Sequence, residues 1–230
     1  MTKKPTEPTI CPKCEGRGYI LDEKGARECD CMRARKLERA FQKARIPQRF
    51  MGKSLDNFKP IHASHKAIIE FAKKFVQAFR VDTQQPTKGL LLRGTEGTGK
   101  THIAIAILKE IIQKGHEGLY WNVPELFCEL RRTMGNSTDI DEGSILDEAI
   151  ETQLLVLDDL GAEKASEYVL DRLYLIINGR YENDLPTLIT TNLGLEQLRQ
   201  QVGPRIVSRI SEMCMPIDFP SGDYRLKNLR

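Results

Sequence analysis

A glycine-rich segment at residues 94–101 constrains what this 230-residue chain can fold into more than any other feature. It reads Gly-Thr-Glu-Gly-Thr-Gly-Lys-Thr and fits the pattern G-x-x-x-x-G-K-[ST]. That pattern is informative only between a strand and a helix. The apolar run at 89–92 predicts the strand, and residues 100–114 predict the helix. The segment therefore predicts a phosphate-binding loop in an α/β domain with a parallel sheet.

The residue types in this loop suit the phosphates of ATP. Glycines let backbone N–H groups converge on phosphate oxygens without Cβ clashes, and the following helix directs the positive end of its dipole at the anion. We expect the Lys100 ammonium to reach the β- and γ-phosphates and the Thr101 hydroxyl to bind Mg²⁺. The predicted nucleotide-binding residues are Gly94, Thr95, Glu96, Gly97, Thr98, Gly99, Lys100, Thr101 and His102.

Two carboxylates follow the apolar run at 154–157, which predicts a buried strand. Ligands of open α/β sheets bind at the carboxyl ends of the strands. We therefore expect Asp158 to hold Mg²⁺, directly or through water, and Asp159 to orient and deprotonate the attacking water. Acidic residues also cap helices, but the position after a strand, downstream of the glycine-rich loop, favours a catalytic pair.

A further predicted strand, at 187–191, ends in the polar sequence Thr-Thr-Asn. Its last residue, Asn192, follows the strand at the same predicted edge of the sheet. An amide there is expected to reach the γ-phosphate or the attacking water. Asparagine ends many strands, so this prediction depends on the other two motifs.

Four cysteines near the N-terminus form the pairs Cys11-x-x-Cys14 and Cys29-x-Cys31. A tetrahedral Zn²⁺ site takes four such ligands and supplies folding energy to a segment without a core. A redox pair and an iron–sulfur cluster are the alternatives. Redox C-x-x-C pairs open a helix after a strand, a context that the sequence does not predict here. Cys128, in a predicted apolar helix, and Cys214, beside a predicted strand, are expected to be core thiols.

Three regions follow from these patterns: a zinc-binding module at 1–32, a basic helical linker at 33–59, and the phosphate-binding domain at 60–230. Residues 1–60 contain 15 Lys or Arg against 8 Asp or Glu. Such a balance suits nucleic acid, an acidic partner surface or simple solubility. No apolar run is long enough to span a membrane, and the N-terminus resembles no secretory signal, so we expect a cytoplasmic protein without a membrane partner.

Periodicity predicts the remaining elements. A charged helix is expected over 34–44 and an amphipathic one over 65–79, and residues 135–143 are expected to form an acidic loop. The other predicted helices cover 124–134, a short stretch ending near 151, 166–182 and 203–212, and another strand covers 118–123.

The order of these motifs resembles the AAA+ ATPases. From about Ile46 to Leu226 the chain is similar to bacterial and phage helicase loaders of the DnaC/DnaI type and to IstB transposition ATPases. The resemblance includes Ile-Pro-Gln-Arg-Phe at 46–50, Gly-Pro-Arg-Ile-Val-Ser-Arg-Ile at 203–210 and Asp-Tyr-Arg at 223–225. Separately, Cys-Pro-Lys-Cys-Glu-Gly-Arg-Gly at 11–18 resembles the zinc knuckles of DnaJ-type chaperones.

This resemblance implies several properties. Arg209, or Arg205 as the second choice, would act as an arginine finger on a neighbouring subunit, so the protein would self-associate. The zinc module would dock on a hexameric replicative helicase, and the ATPase domain would grip single-stranded DNA. Many AAA+ proteins have Asp-Glu where this chain has Asp158-Asp159, which implies slow hydrolysis. The chain stops soon after Arg225, which implies an AAA+ domain without a full helical lid.

Three functions remain open at this point. The first is loading a replicative helicase onto single-stranded DNA. The second is an IstB-like role in transposition, in which the protein assembles on duplex DNA and recruits a transposase; the zinc module argues against it. The third is a nucleotide-sensing adaptor whose hydrolysis is vestigial.

Overall fold

A computed structural model of the chain describes residues 10–22, 25–81, 84–133, 141–162, 166–220 and 222. Its strands are β1 (Tyr19–Asp22), β2 (Gly25–Glu28), β3 (Gly89–Arg93), β4 (Gly118–Asn122), β5 (Leu154–Asp158), β6 (Thr187–Thr191) and β7 (Cys214–Asp218). Its α-helices are α1 (Asp30–Lys43), α2 (Ala63–Ala78), α3 (Lys100–Gln113), α4 (Val123–Thr133), α5 (Glu142–Glu151), α6 (Glu167–Glu182), α7 (Leu195–Val202) and α8 (Pro204–Met213). A short 3₁₀ helix covers Gln48–Phe50.

Five of these strands form one parallel sheet in the order β4-β5-β6-β3-β7. The register pairs Leu90 with Leu188 and Leu155 with Thr187. All five strands run the same way, so their carboxyl ends share one edge of the sheet. The glycine-rich loop after β3 lies at that edge, between the ends of β6 and β7. The predicted α/β fold with a parallel sheet is therefore confirmed.

Strands β3 to β6 are buried on both faces of the sheet, which explains why they are short apolar runs instead of alternating patterns. β5 and β6 are buried at every position. Residues such as Leu90 and Val156 face the core under α3, on which α1 and α2 pack. Residues such as Leu91 and Leu157 face a second core, formed with α4 to α8.

The N-terminal residues have a different organisation. β1 and β2 form an antiparallel hairpin, in which Tyr19 pairs with Glu28 and Asp22 pairs with Gly25. Among described residues 10–31, Cys14 and Cys29 are the side chains that become buried. Two short strands with exposed side chains cannot bury a hydrophobic core. We call residues 10–31 the thiol module.

The connector at 33–59 is not a free tether, because its residues contribute to the core of the sheet domain. Ala44, Leu55 and Phe58 are buried there, and Leu37 of α1 packs against the same cluster. The amide of Tyr120 on β4 donates a 2.9 Å hydrogen bond to the carbonyl of Ala44. The connector therefore satisfies an amide on the outer side of edge strand β4.

Most predicted elements are present, with ends shifted by a few residues. The hairpin β1–β2 and helix α7 were not predicted. Strand β7 is the strand expected beside Cys214, and it includes that residue. The prediction for Cys214 is confirmed, since this thiol is buried. The prediction for Cys128 is wrong: it is exposed on α4, because Val123, Leu126, Phe127 and Leu130 form the buried face of that helix.

Two predicted features fall partly or wholly outside the described residues. The loop at 135–143 is described only from 141 onward, and the Asp-Tyr-Arg sequence at 223–225 is not described. Among the helices that are described, none combines the length and apolar character needed to cross a membrane.

Candidate nucleotide site and thiol cluster

The glycine-rich loop adopts a backbone that depends on its glycines. Gly94, Gly97 and Gly99 have φ values of 147°, 71° and 95°, which side chains rarely tolerate. A Cβ at Gly99 would also lie 2.5 Å from Cε2 of Phe58. Gly99 immediately precedes α3, so the loop turns sharply and presents the N-terminus of that helix at the sheet edge.

The Lys100 ammonium lies inside this loop and is almost fully buried. It donates hydrogen bonds of 2.7 Å to the carbonyls of Gly94 and Thr95. A third bond, of 2.6 Å, goes to Oδ1 of Asn192 at the end of β6. The structure thus brings together Lys100 and Asn192, which are 92 residues apart in the chain.

The carboxylate of Asp158 is buried and accepts hydrogen bonds from three hydroxyl groups. Thr101 and Thr190 donate to Oδ1, over 2.8 and 2.7 Å. Tyr120 donates to Oδ2 over 2.8 Å. Burial, followed by the charge of Asp158, raises the pKa of Tyr120, so its hydroxyl stays protonated and remains a donor.

Asp159 has a left-handed backbone, with φ of 67°. Its amide donates to Oγ1 of Thr190 over 2.9 Å, which holds the turn at the end of β5. Its carboxylate accepts a 3.2 Å bond from Nδ2 of Asn192. Asn192 therefore bridges Lys100 and Asp159. A non-glycine residue in this conformation costs on the order of 1–2 kcal/mol, and such strain is concentrated at functional sites.

His102 lies in the first turn of α3, but its side chain faces the connector. Nε2 is 2.8 Å from the carbonyl oxygen of Ser54, and the ring packs edge-on against Phe58 with centroids 5.0 Å apart. Burial lowers the pKa of this imidazole, which favours its neutral form. The side chain of His102 therefore helps to hold the connector against α3.

The two candidate finger arginines differ in their surroundings. Arg209 donates from Nε to Oδ1 of Asn178 over 3.1 Å, and its guanidinium lies 4.5 Å from the centre of the Tyr181 ring. Arg205 is exposed one turn earlier on α8. Both line an open pocket of about 440 Å³, together with Tyr174, Arg199, Pro204 and Ser208. The partners of Arg209 belong to α6, not to the glycine-rich loop.

All four cysteines of the thiol module converge. Their sulfur atoms lie within 4.8 Å of one another, with Cys11–Cys29 at 3.9 Å and Cys14–Cys31 at 3.4 Å. Zn–S bonds of about 2.3 Å in a tetrahedron require sulfur separations of roughly 3.8 Å, so the arrangement fits a tetrahedral metal ion. The amide of Gly18 donates to Sγ of Cys14 over 3.3 Å, a contact that stabilises a thiolate.

The second cysteine pair occupies a position that the sequence analysis did not predict. Cys29 is the N-cap of α1, and Cys31 lies in the first turn of that helix, directly after β2. This strand-to-helix context is the one associated with redox pairs, but here it belongs to the C-x-C pair. A redox pair also needs only two sulfur atoms, whereas four converge.

Comparison with known proteins agrees with this geometry. The family model described as IstB-like ATP binding protein matches residues 19–230. The chain belongs to this family. The replicative helicase loader DnaC of Buchnera aphidicola subsp. Acyrthosiphon pisum is 25% identical over 194 residues, which make up 84% of this chain and 76% of that protein.

Two solved structures are similar to this IstB-like chain. A crystal structure of the DnaC helicase loader has 31% identity and a TM-score of 0.68, and the match covers 76% of this chain and all of that one. A crystal structure of DnaI has 30% identity and a TM-score of 0.65, covering 78% and 94%. The resemblance to DnaC and DnaI predicted from the motifs is confirmed.

Two residues of this IstB-like site were missed in the sequence analysis. Tyr120 and Thr190 both donate to Asp158. Thr190 was part of the polar strand end, but no contact with Asp158 was assigned to it. Tyr120 gave no local signal, because it lies within an apolar strand 38 residues before its partner. Its polar hydroxyl in a buried position is the one hint that the sequence offers.

Proposed function

We propose that this protein is an ATP-dependent loader that places a hexameric replicative helicase on single-stranded DNA. The observation that carries the proposal is the assembly of Lys100, Asp158 and Asn192 at one sheet edge, in a chain whose relatives are replicative helicase loaders. Such an assembly of cation, carboxylate and amide suits phosphoryl chemistry.

In the nucleotide-binding step, the amides of residues 94–101 and the N-terminus of α3 bind the phosphates. The Lys100 ammonium exchanges its loop carbonyls for oxygens of the β- and γ-phosphates. The hydroxyl of Thr101 and the Oδ1 atom of Asp158, 2.8 Å apart, would hold Mg²⁺, which prefers such oxygen ligands. When bound, Mg²⁺ supplies charge neutralisation at the phosphates.

In the hydrolytic step, Asp159 orients and deprotonates the attacking water. Asn192, which already bridges Lys100 and Asp159, positions the γ-phosphate or that water. The side chain of Asp159 is shorter than glutamate, which supports slow turnover. Arg209 of a neighbouring subunit stabilises the charge on the phosphoryl oxygens, so self-association completes the site.

The thiol module binds one Zn²⁺ through Cys11, Cys14, Cys29 and Cys31 and docks on the helicase. The convergence of four sulfur atoms supports the metal, and the likeness to helicase loaders supports the partner. We retain the division into a zinc-binding module at 1–32, a linker at 33–59 and an ATPase domain at 60–230. We place the protein in the cytoplasm, where replicative helicases act.

One alternative has an observation in its favour. The matching family is named after IstB, which favours a role in transposition by assembly on duplex DNA. The two functions differ in their DNA substrate and in the protein they recruit. Loading requires a helicase hexamer and single-stranded DNA, whereas the alternative requires duplex DNA and no helicase.

A loading assay tests the proposal. The full chain is mixed with a hexameric replicative helicase and circular single-stranded DNA, and helicase retained on the circle is measured with and without ATP. We expect ATP-dependent retention with the wild type and loss of it with Lys100→Ala. The control is Lys74→Ala, an exposed lysine on α2. ATP-dependent assembly on duplex DNA, without helicase retention on the circle, would overturn the proposal in favour of the alternative.

A further inference from the structure

Tyr120 occupies a position that connects three parts of the molecule. It lies on β4 and its side chain is 2% exposed. Its hydroxyl donates to Oδ2 of Asp158 over 2.8 Å. Its amide donates to the carbonyl of Ala44 in the connector over 2.9 Å. Its backbone pairs with Val156 on β5, the strand that carries Asp158. The residue is therefore held on both sides of its strand.

The hydrogen bonds of Asp158 are divided unequally between its two oxygens. Oδ1 accepts from Thr101 and Thr190, whereas the hydroxyl donor to Oδ2 among the described residues is Tyr120. A carboxylate fixed through one oxygen can pivot about that oxygen. A donor on the second oxygen stops the rotation and keeps Oδ1 directed at Thr101. Partners of this type orient metal-binding carboxylates.

We infer that Tyr120 is a positioning residue for magnesium binding at Asp158. The inference rests on the proposed function, since it assigns a role within the same nucleotide site. Tyr120 acts through Asp158, to which its hydroxyl donates. The backbone of Tyr120 is held by β5 on one side and by the connector on the other. These contacts fix the position of its hydroxyl next to Asp158.

The variant Tyr120→Phe tests the inference, because it removes the hydroxyl and keeps the ring. ATP affinity is measured by calorimetry at increasing Mg²⁺ concentrations and again in excess EDTA. We expect the Mg²⁺ concentration that gives half of the increase in ATP affinity to rise by about 10-fold. Such a loss is typical when a residue that orients a metal ligand by a hydrogen bond is removed. Affinity for ATP in EDTA should stay unchanged, because the phosphate-binding loop and Lys100 are intact.

Tyr168→Phe is the matched control. Its hydroxyl donates to Oε2 of Glu142 over 2.6 Å, so it removes the same kind of bond between α6 and α5. We expect it to leave the Mg²⁺ dependence at the wild-type value. Equal shifts in both variants would show that a general loss of stability moves the Mg²⁺ dependence, and would overturn the inference. A wild-type Mg²⁺ dependence in Tyr120→Phe would overturn it as well.

Two further measurements keep the result interpretable. Tyr120→Met also lacks the hydroxyl and should show the same shift in the Mg²⁺ dependence. It replaces Tyr120→Phe if that variant folds poorly. In an Asp158→Asn background, Tyr120→Phe should produce no additional change, since both substitutions act through one carboxylate. A wild type that binds ATP equally with and without Mg²⁺ would instead refute the proposed magnesium site itself, so the two failures are distinguishable.

Discussion

The thiol cluster and the nucleotide site are built in opposite ways. The thiol cluster draws its four side chains from residues 11–31, in a module without a hydrophobic core. The nucleotide site draws its residues from the ends of β3, β5 and β6, which lie far apart in the chain and are positioned by a sheet buried on both faces. In the proposed zinc module the ligands would create the fold, whereas in the sheet domain the fold creates the site.

This difference predicts how each region responds to change. A module held by metal–ligand bonds should lose its structure when one ligand is lost, because folding and metal binding are one equilibrium. A site held by a buried sheet should tolerate the loss of a single functional side chain and lose only the chemistry of that side chain. A substitution in one region should therefore leave the structure and binding of the other region unchanged.

The largest expected effect is the loss of the module in Cys14→Ser. Binding of structural zinc contributes on the order of 10 kcal/mol to the folding of such modules. We expect bound zinc, measured by elemental analysis, to disappear and residues 10–31 to become sensitive to protease. ATP binding should remain at the wild-type value. Cys128→Ser, which removes an exposed thiol outside the cluster, is the control and should change neither. Iron in place of zinc would overturn the metal assignment.

The next largest effect concerns the completeness of the nucleotide site. The thiol cluster has all its ligands in one chain, but the partners of Arg209 are on α6 and not at its own loop. If Arg209 acts on a neighbouring subunit, ATP turnover per subunit should rise with protein concentration. Arg209→Ala should keep ATP affinity and lose that stimulation, which is worth about 10³-fold in related systems.

Two comparisons sharpen the Arg209 experiment. Asn178→Ala removes the hydrogen-bond partner of Arg209 while keeping the guanidinium, and should retain the stimulation. Arg205→Ala tests the second choice on the same helix. Mixing Arg209→Ala with Lys100→Ala subunits should restore some activity at composite interfaces. A rate that is independent of concentration and unaffected by Arg209→Ala would show that one subunit suffices.

The sequence predicts the parts of the molecule that local patterns encode. The strand, loop and helix around Lys100 carry their own signals of periodicity and glycine spacing, and the buried runs before Asp158 and Asn192 mark their strands. Strand β7 was expected beside Cys214, but its bounds were not predicted, because it contains Pro216 and is exposed at several positions as an edge strand. The hairpin β1–β2 was missed because most of its side chains are exposed and therefore give no apolar pattern.

In the candidate site, contacts between residues far apart in the chain were harder to predict than the motifs themselves. The bond from Tyr120 to Asp158 depends on which strands are neighbours, and strand order is not visible in local periodicity. The same holds for the bridge that Asn192 forms between Lys100 and Asp159. The motifs predict that these residues lie at one edge of a sheet, but only the strand order determines which of them touch.

The third prediction tests whether the sheet domain loses chemistry without losing structure. Asp159→Asn should bind ATP normally and turn over roughly 10²-fold more slowly, because the proposed general base is gone. Asparagine tolerates the left-handed backbone at this position, so the turn should survive. Steady-state ATP hydrolysis is the measurement, with Asp171→Asn on the exposed face of α6 as the control. Unchanged turnover in Asp159→Asn would favour the adaptor function.

The smallest expected effect lies at the boundary between the two regions. Arg45 follows α1 and has its guanidinium 4.2 Å from the centre of the Trp121 ring. It also donates to Glu148 on α5 over 3.2 Å. Both contacts are partly exposed, so each is worth about 1 kcal/mol or less. Arg45→Ala should therefore lower the free energy of unfolding of the sheet domain only slightly, by about 1 kcal/mol.

Trp121 is the single tryptophan of the chain, so its fluorescence reports directly on this contact. Removing the guanidinium that covers the ring should expose it to water and move its emission to longer wavelength in Arg45→Ala. Arg49→Ala removes a similar contact, 4.6 Å from the Phe50 ring, and should leave the emission unchanged. Zinc content and zinc affinity of the thiol module should match the wild type in both variants, because its four ligands precede the connector. Weaker zinc binding in Arg45→Ala alone would show that the connector couples the stability of the thiol module to that of the sheet domain. The two regions would then not respond independently to substitutions.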